Sequence, residues 1–178
     1  GEFTQAQKMY QVDLAQKVAA EKYPGMKFTS VEECRDDESK ASDIARQLIV
    51  ANPDLRGIIS NSGAGLPGTA QGVRQAGKSG QVKVTGISVP SLMKTFIDDG
   101  TVRKFFLWDP AELGYRAVAI VHELLHGRDI TPQTQLAKSG DVSEPADIRP
   151  NLQTPSLLDI VLGPPLGFDS GNIGRFNF

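Results

Sequence analysis

Apolar positions along the 178-residue chain follow two alternating rhythms, helical stripes and short continuous runs. Residues 4–23 carry Met9, Val12, Leu14, Val18 and Ala19 as an apolar helical stripe, with Thr4 able to cap the start. Pro24-Gly25 stops that helix, and residues 26–31 alternate as a short strand. A turn-like acidic stretch, 36–39, leads into a second helix over 39–51, with Ala41, Ile44, Ala45, Leu48 and Ile49 facing inward. Asn52-Pro53-Asp54 ends it, and 55–60 is a compact strand. The cycle then repeats. A glycine-rich loop at 63–68 precedes a helix over 69–76, a strand over 82–87, and a helix opened by Pro90 and running to Asp98. Residues 102–108 are the next strand, and 111–125 the next helix, ended by Gly127.

Helices alternating with continuous apolar strands predict an α/β fold: a parallel sheet with helices on both faces and right-handed crossovers. An alternating chain of this kind usually opens on a strand, whereas this one opens on a helix, so a first strand is expected ahead of residue 1. After Gly127 the alternation stops. Residues 129–155 are rich in Pro, Ser, Asp and Gln and read as loop with one short strand, 157–162 as a last strand, and the end as an extended aromatic tail.

Composition excludes more than it proposes. A formal net charge of −2 without a dense basic run leaves no electrostatic footprint for nucleic acid. No apolar run approaches the roughly 18 residues that span a bilayer, and the N-terminus does not resemble a signal peptide. Cys34 is the single cysteine, so no intrachain disulfide can form, and an inert thiol is expected.

His122-Glu123-Leu124-Leu125-His126 contains both histidines of the chain. At i and i+4 two imidazoles reach one metal, and zinc hydrolases use the intervening glutamate as general base. The third ligand would have to be a downstream carboxylate, Asp141 or Glu144. The plainer reading is a solvated end of a helix, where histidine complements the macrodipole. The pattern emerges from an ordinary βα alternation, an odd setting for a zinc hydrolase, and is read here as coincidence.

Other motifs carry a resemblance. Ala51-Asn52-Pro53-Asp54-Leu55-Arg56-Gly57-Ile58-Ile59, Ala76-Gly77-Lys78 and Val82-Lys83-Val84-Thr85-Gly86-Ile87 resemble type I periplasmic sugar-binding proteins. Leu107-Trp108-Asp109-Pro110-Ala111-Glu112-Leu113-Gly114-Tyr115 and the ending Gly163-Pro164-Pro165…Asn172-Ile173…Phe176-Asn177-Phe178 resemble the branch that binds rhamnose or the furanose signal autoinducer-2 for ABC import. The resemblance covers nearly the whole chain apart from 129–155. It implies the C-terminal portion of a two-lobed binding protein without cofactor or catalysis. Residues 1–108 would be the C-terminal lobe lacking its first strand, which in the family lies between 26–31 and 55–60. Residues 109–156 would cross the hinge and supply a helix and loop to the N-terminal lobe, and 157–178 would return as a strand and tail. The partners implied are a small sugar, an ABC permease, and the other half of the protein or another copy. The implied location is periplasmic or extracellular, with lipid anchorage of the full-length protein left open. Alone, such a piece would expose a sheet edge and an apolar helix face, and association is expected.

The same resemblance nominates ligand residues at strand ends. Gln5, with Gln7 nearby, stands where the family places polar contacts, and Gln5 replaces an acidic contact of the autoinducer-2 binders. Asn61 matches a hydrogen-bonding asparagine of ribose binders and a proline of autoinducer-2 binders. Gly63 lets backbone approach a ligand. Ser88 replaces an aspartate of ribose binders, with capping of the next helix as its other reading. Trp108 offers a stacking face or hinge packing, and Asp109 a hydroxyl acceptor or a hinge turn. Tyr115 is expected in core or interlobe packing. A rhamnose-like or other monosaccharide is the expected ligand, with autoinducer-2 second.

Overall fold

The computed structural model describes residues 6–136, 147–152 and 154–178. In chain order the elements are helices α1 (Ala6–Lys22) and α2 (Glu38–Ala51), strand β1 (Gly57–Ser60), α3 (Gly65–Gln75), β2 (Lys83–Gly86), α4 (Pro90–Asp98), β3 (Phe105–Leu107), α5 (Pro110–Leu125), β4 (Asp147–Pro150), β5 (Leu158–Val161) and β6 (Leu166–Phe168). A 3-10 turn, Ile173–Arg175, closes the chain. Two compact units result: residues 1–106 with 167–178, and residues 107–166.

In the first unit β1 pairs with β2 in parallel, Gly57 opposite Lys83 and Ser60 opposite Gly86. Single parallel bridges, Val84 to Val102 and Ile87 to Phe106, extend the sheet toward β3, which in turn neighbours β6. The arrangement is the α/β lobe that the sequence predicts. Helices α2 and α3 pack closely. A Cβ on Gly68 would stand 2.1 Å from the carbonyl oxygen of Glu38, and one on Gly72 2.4 Å from that of Ser42. Two helix backbones can approach this closely only where side chains are absent. Helix α3 starts at Gly65, inside the stretch expected to be a glycine-rich loop, and the approach of α2 is what requires glycine at 68 and 72. Leu66, Ala70 and Val73 on α3, Met93 on α4, and Val102 and Phe105 are fully buried around it.

The aromatic tail is not simply extended. Phe168 stacks on Phe105 with ring centroids 5.0 Å apart, and Phe176 meets Phe168 edge-on at 4.9 Å. The backbone N–H of Ser91 donates to the Phe178 carbonyl at 3.1 Å, so the chain end is tied to the start of α4.

Two expectations need correction here. Residues 26–31 form no strand, and Met26, Phe28 and Val31 lie exposed. A strand exists only through its ladder, and among the described residues β1 is hydrogen-bonded on one side only, by β2. Leu14 is exposed rather than part of the α1 stripe. At about 100° per residue it falls some 140° around the helix from Ala19, the one buried residue among those of α1 whose burial is described.

In the second unit β4 and β5 form an antiparallel pair, Ile148 opposite Ile160. Leu136 and Ile148 are buried, with Ala119, Ile120, Ile130 and Ile160 packed on them. The face that α5 buries also carries Glu112 and Arg116, an ion pair at i and i+4. Arg116 Nη1 donates to the Leu136 carbonyl at 2.8 Å. Leu113, Val118, Val121, Leu124 and Leu125 are exposed, and so is Tyr115, which sets aside the core alternative expected of it and leaves the interlobe one.

Candidate functional site

The carboxyl ends of β1 and β2 open into two loops, and polar side chains knit them together. Ser88, two residues after β2, is buried, and its hydroxyl donates to the Gly63 carbonyl in the loop after β1 at 2.7 Å. Its backbone N–H faces the Phe106 carbonyl at 3.3 Å. Helix α4 has no side-chain cap, so the capping reading of Ser88 is set aside. Glycine at position 86 lets the two strand ends approach. Its φ is +153°, and a Cβ there would lie 1.8 Å from the Ser60 carbonyl oxygen.

Asn61 sits at the end of β1, half-buried, and its Nδ2 donates to the Lys8 carbonyl in α1 at 3.2 Å. Gly63 is exposed, with nothing within 4 Å of the position a Cβ would take. No close approach within the fold requires glycine there. Asn61, Gly63 and Ser88 thus come together on one rim of the first unit. Gln5 lies outside the described residues, and Gln7 lies in the first turn of α1.

Sequence reasoning missed the network behind this rim. Asp36 accepts hydrogen bonds from the Ser62 hydroxyl and from Lys8 Nζ, the latter at 3.0 Å to each carboxylate oxygen. Ser62 Oγ in turn accepts from the Gly65 N–H at 3.0 Å, at the start of α3. The Ser62 hydroxyl, then Lys8, hold the Asp36 carboxyl below the usual carboxylate range. Arg35 and Asp36 both adopt φ near +55°, a conformation that costs a side-chain-bearing residue energy. The one available signal was the acidic turn itself, since aspartate tolerates left-handed backbone.

Trp108 and Asp109 belong to the second unit. Trp108 is about half exposed, with 47% of its surface accessible. Asp109 caps α5, its Oδ1 accepting from Ala111 N at 2.9 Å and Glu112 N at 3.1 Å. Through this one oxygen Asp109 caps the turn that leads into Pro110.

His122 and His126 lie on the exposed last turns of α5, ring centroids 4.3 Å apart. Glu123 is gripped by Arg128, whose Nη2 donates to Oε1 at 2.9 Å. The Arg128 bonds, then that of His122, pull its carboxyl down to about 2, which makes it a weak base. Asp141 and Glu144, the expected third ligands, lie outside the described residues. No helix among the described residues is long and apolar enough to cross a membrane.

A family profile described as periplasmic binding protein domain matches residues 1–129. The D-ribose/D-allose-binding protein of Pseudomonas aeruginosa is 27% identical over 124 residues, 70% of this chain and 38% of that protein. Among solved structures, a sugar ABC transporter protein from Actinomyces odontolyticus superposes with a TM-score of 0.79 at 28% identity, covering 100% of this chain and 55% of that one. LsrB from Clostridium saccharobutylicum, in complex with AI-2, gives 0.80 at 21% identity, covering 97% of this chain and 55% of that one. An ABC transporter solute-binding protein from Clostridium phytofermentas with bound L-rhamnose gives 0.79 at 24%, covering 96% and 55%. The last two likenesses concern the fold alone. The chain spans about half the length of these structures and little more than a third of the curated relative.

Proposed function

Because the chain belongs to the periplasmic binding protein domain family, we propose that it forms part of a solute-binding protein that captures a small sugar and presents it to an ABC permease. The family is one of substrate-binding transport proteins, not of enzymes. One observation carries the reading: the bond from Ser88 Oγ to the Gly63 carbonyl, 2.7 Å, joins two strand-end loops beside Asn61. Open parallel sheets bind ligands at this end of their strands. Sugars need a few aimed polar groups and an aromatic face, because each hydroxyl must exchange water for an equally good partner. Asn61, Gly63 and Gln5 would supply polar contacts, Trp108 a stacking face and Asp109 a hydroxyl acceptor. Ser88, with its proton committed to Gly63, would shape the rim.

In this reading residues 1–108 serve as one lobe, 109–156 cross the hinge and join the other, and 157–178 return. The remainder of the other lobe would come from the rest of the protein or from another copy. Hinge closure over the sugar would create the form that the permease recognises. The setting would be periplasmic or extracellular. Ser88 in place of the ribose binders' aspartate favours a rhamnose-like deoxyhexose or another monosaccharide. Autoinducer-2 stands second, opposed by Gln5 and Asn61. A thermal-shift panel of L-rhamnose, D-ribose, D-allose and autoinducer-2 on the full-length protein tests this. A ligand at a hundred times its Kd stabilises by about 2.7 kcal/mol. A panel in which nothing raises the melting temperature contradicts sugar capture, and chelator-sensitive peptidase activity would favour the zinc hydrolase instead.

A further inference from the structure

The histidine pair that the sugar site leaves unused has a chemistry of its own. His126 Nδ1 lies 2.8 Å from the His122 carbonyl oxygen. A carbonyl can only accept, so this nitrogen carries the proton, which in the neutral ring leaves the lone pair on Nε2. His122 Nδ1 lies 3.3 Å from Glu123 Oε1, an acceptor that fixes the same tautomer. Arg128 holds that carboxylate through its Nη2 at 2.9 Å from Oε1 and its Nε on Oε2. Imidazoles whose second nitrogen is bonded to a carbonyl or carboxylate are the form that binds metals, the outer partner fixing ring orientation and raising basicity. The two rings stand one helical turn apart, centroids 4.3 Å and planes 37° apart.

We infer that His122 and His126 form a two-imidazole chelate for a divalent transition-metal ion, through Nε2 of each ring, on the exposed end of α5. Imidazole donors suit Ni2+, Cu2+ and Zn2+ over Mg2+ and Ca2+. Among the described residues no cluster of three or more His, Cys, Asp or Glu is placed to hold a metal, so the chelate rests on the two imidazoles. Glu123, committed to Arg128, orients a ligand instead of activating water. The bound ion would staple the last turn of α5 just before Gly127.

The test is calorimetric titration of the chelator-treated chain with Cu2+, Ni2+ and Zn2+. Expected are one ion per chain and affinity in the order Cu2+ above Ni2+ and Zn2+, with binding reversed by EDTA. His122→Asn and His126→Asn alter exposed side chains and should each weaken binding by about tenfold or more, comparable with or exceeding the loss of an outer-shell partner. Glu123→Gln should weaken it less. Hydrogen exchange should slow at residues 123–126 on metal addition in the native chain and in Cys34→Ser, but not in either histidine variant. Absence of saturable binding, equal binding by the histidine variants, or loss of binding in Cys34→Ser would overturn the assignment. Sugar binding by the full-length protein is unaffected by any of these outcomes.

Discussion

Helices α4 and α5 look alike in sequence and meet opposite fates. Both open with proline after an extended residue, and both carry a clear apolar stripe. In the first unit α4 buries Met93, Phe96 and Ile97. In the second, α5 buries Glu112 and Arg116, while Val118 is 70% and Leu125 80% exposed. Periodicity identifies an apolar face; it does not say what covers that face. Under the proposed function, the face carrying Leu113, Val118, Val121, Leu124 and Leu125 receives the remainder of the two-lobed protein. Exposed apolar surface of this extent is uncommon on a monomer.

The comparison can be broken most sharply at the buried ion pair. Glu112→Ala leaves Arg116 buried without its carboxylate, and loss of about 3–5 kcal/mol is expected in urea unfolding of the second unit. A change under about 1 kcal/mol would mean that the polar face of α5 is reached by water, and the contrast with α4 would disappear. Next comes the first unit's helix contact. Gly72→Val puts side-chain atoms where the Ser42 carbonyl stands, 2.4 Å from a Cβ, and should cost about 1–3 kcal/mol.

Asp36→Asn should cost less than about 1 kcal/mol, since the carboxylate is 42% exposed and solvent screens its pairing with Lys8. Its sign with pH is definite. The folded carboxyl titrates below its unfolded value, so its contribution is fully present above about pH 4 and is lost as pH falls through the lowered value. Urea midpoints of the native chain and of Asp36→Asn should therefore converge only below about pH 4. Smallest of all, Leu125→Ser should change the stability of this chain by no more than about 0.5 kcal/mol, because the side chain is already in solvent. A larger loss would show that the exposed face of α5 is covered in solution.

The alternation of helices and strands was legible because each element is marked locally: Asn52-Pro53 ends α2, Pro90 opens α4, and Gly127 follows α5. What the pattern could not convey depends on tertiary neighbours. Residues 26–31 have strand-like alternation but no ladder. The glycines at 65 and 68 looked like a loop; the close passage of α2, which requires glycine at 68 and at 72 within the expected helix, is invisible in one dimension. For the candidate site, Asn61, Gly63 and Ser88 could be nominated because strand ends can be located from the strands. Asp36 was missed because its importance comes from Lys8 and Ser62, which lie 28 and 26 residues away. Trp108 and Asp109 could be placed at a strand end and a helix cap, and only the cap is a local property.

The rim formed by Asn61, Gly63 and Ser88 carries the functional account, and Gly63→Val tests it most directly. Nothing lies within 4 Å of the Cβ position at Gly63, so the unliganded protein should melt at an unchanged temperature. Calorimetric titration of the full-length variant with the sugar that most stabilises the native protein should show affinity reduced by about tenfold or more, equivalent to about 1.4 kcal/mol. Undiminished affinity in a normally folded variant would contradict a sugar site at this rim.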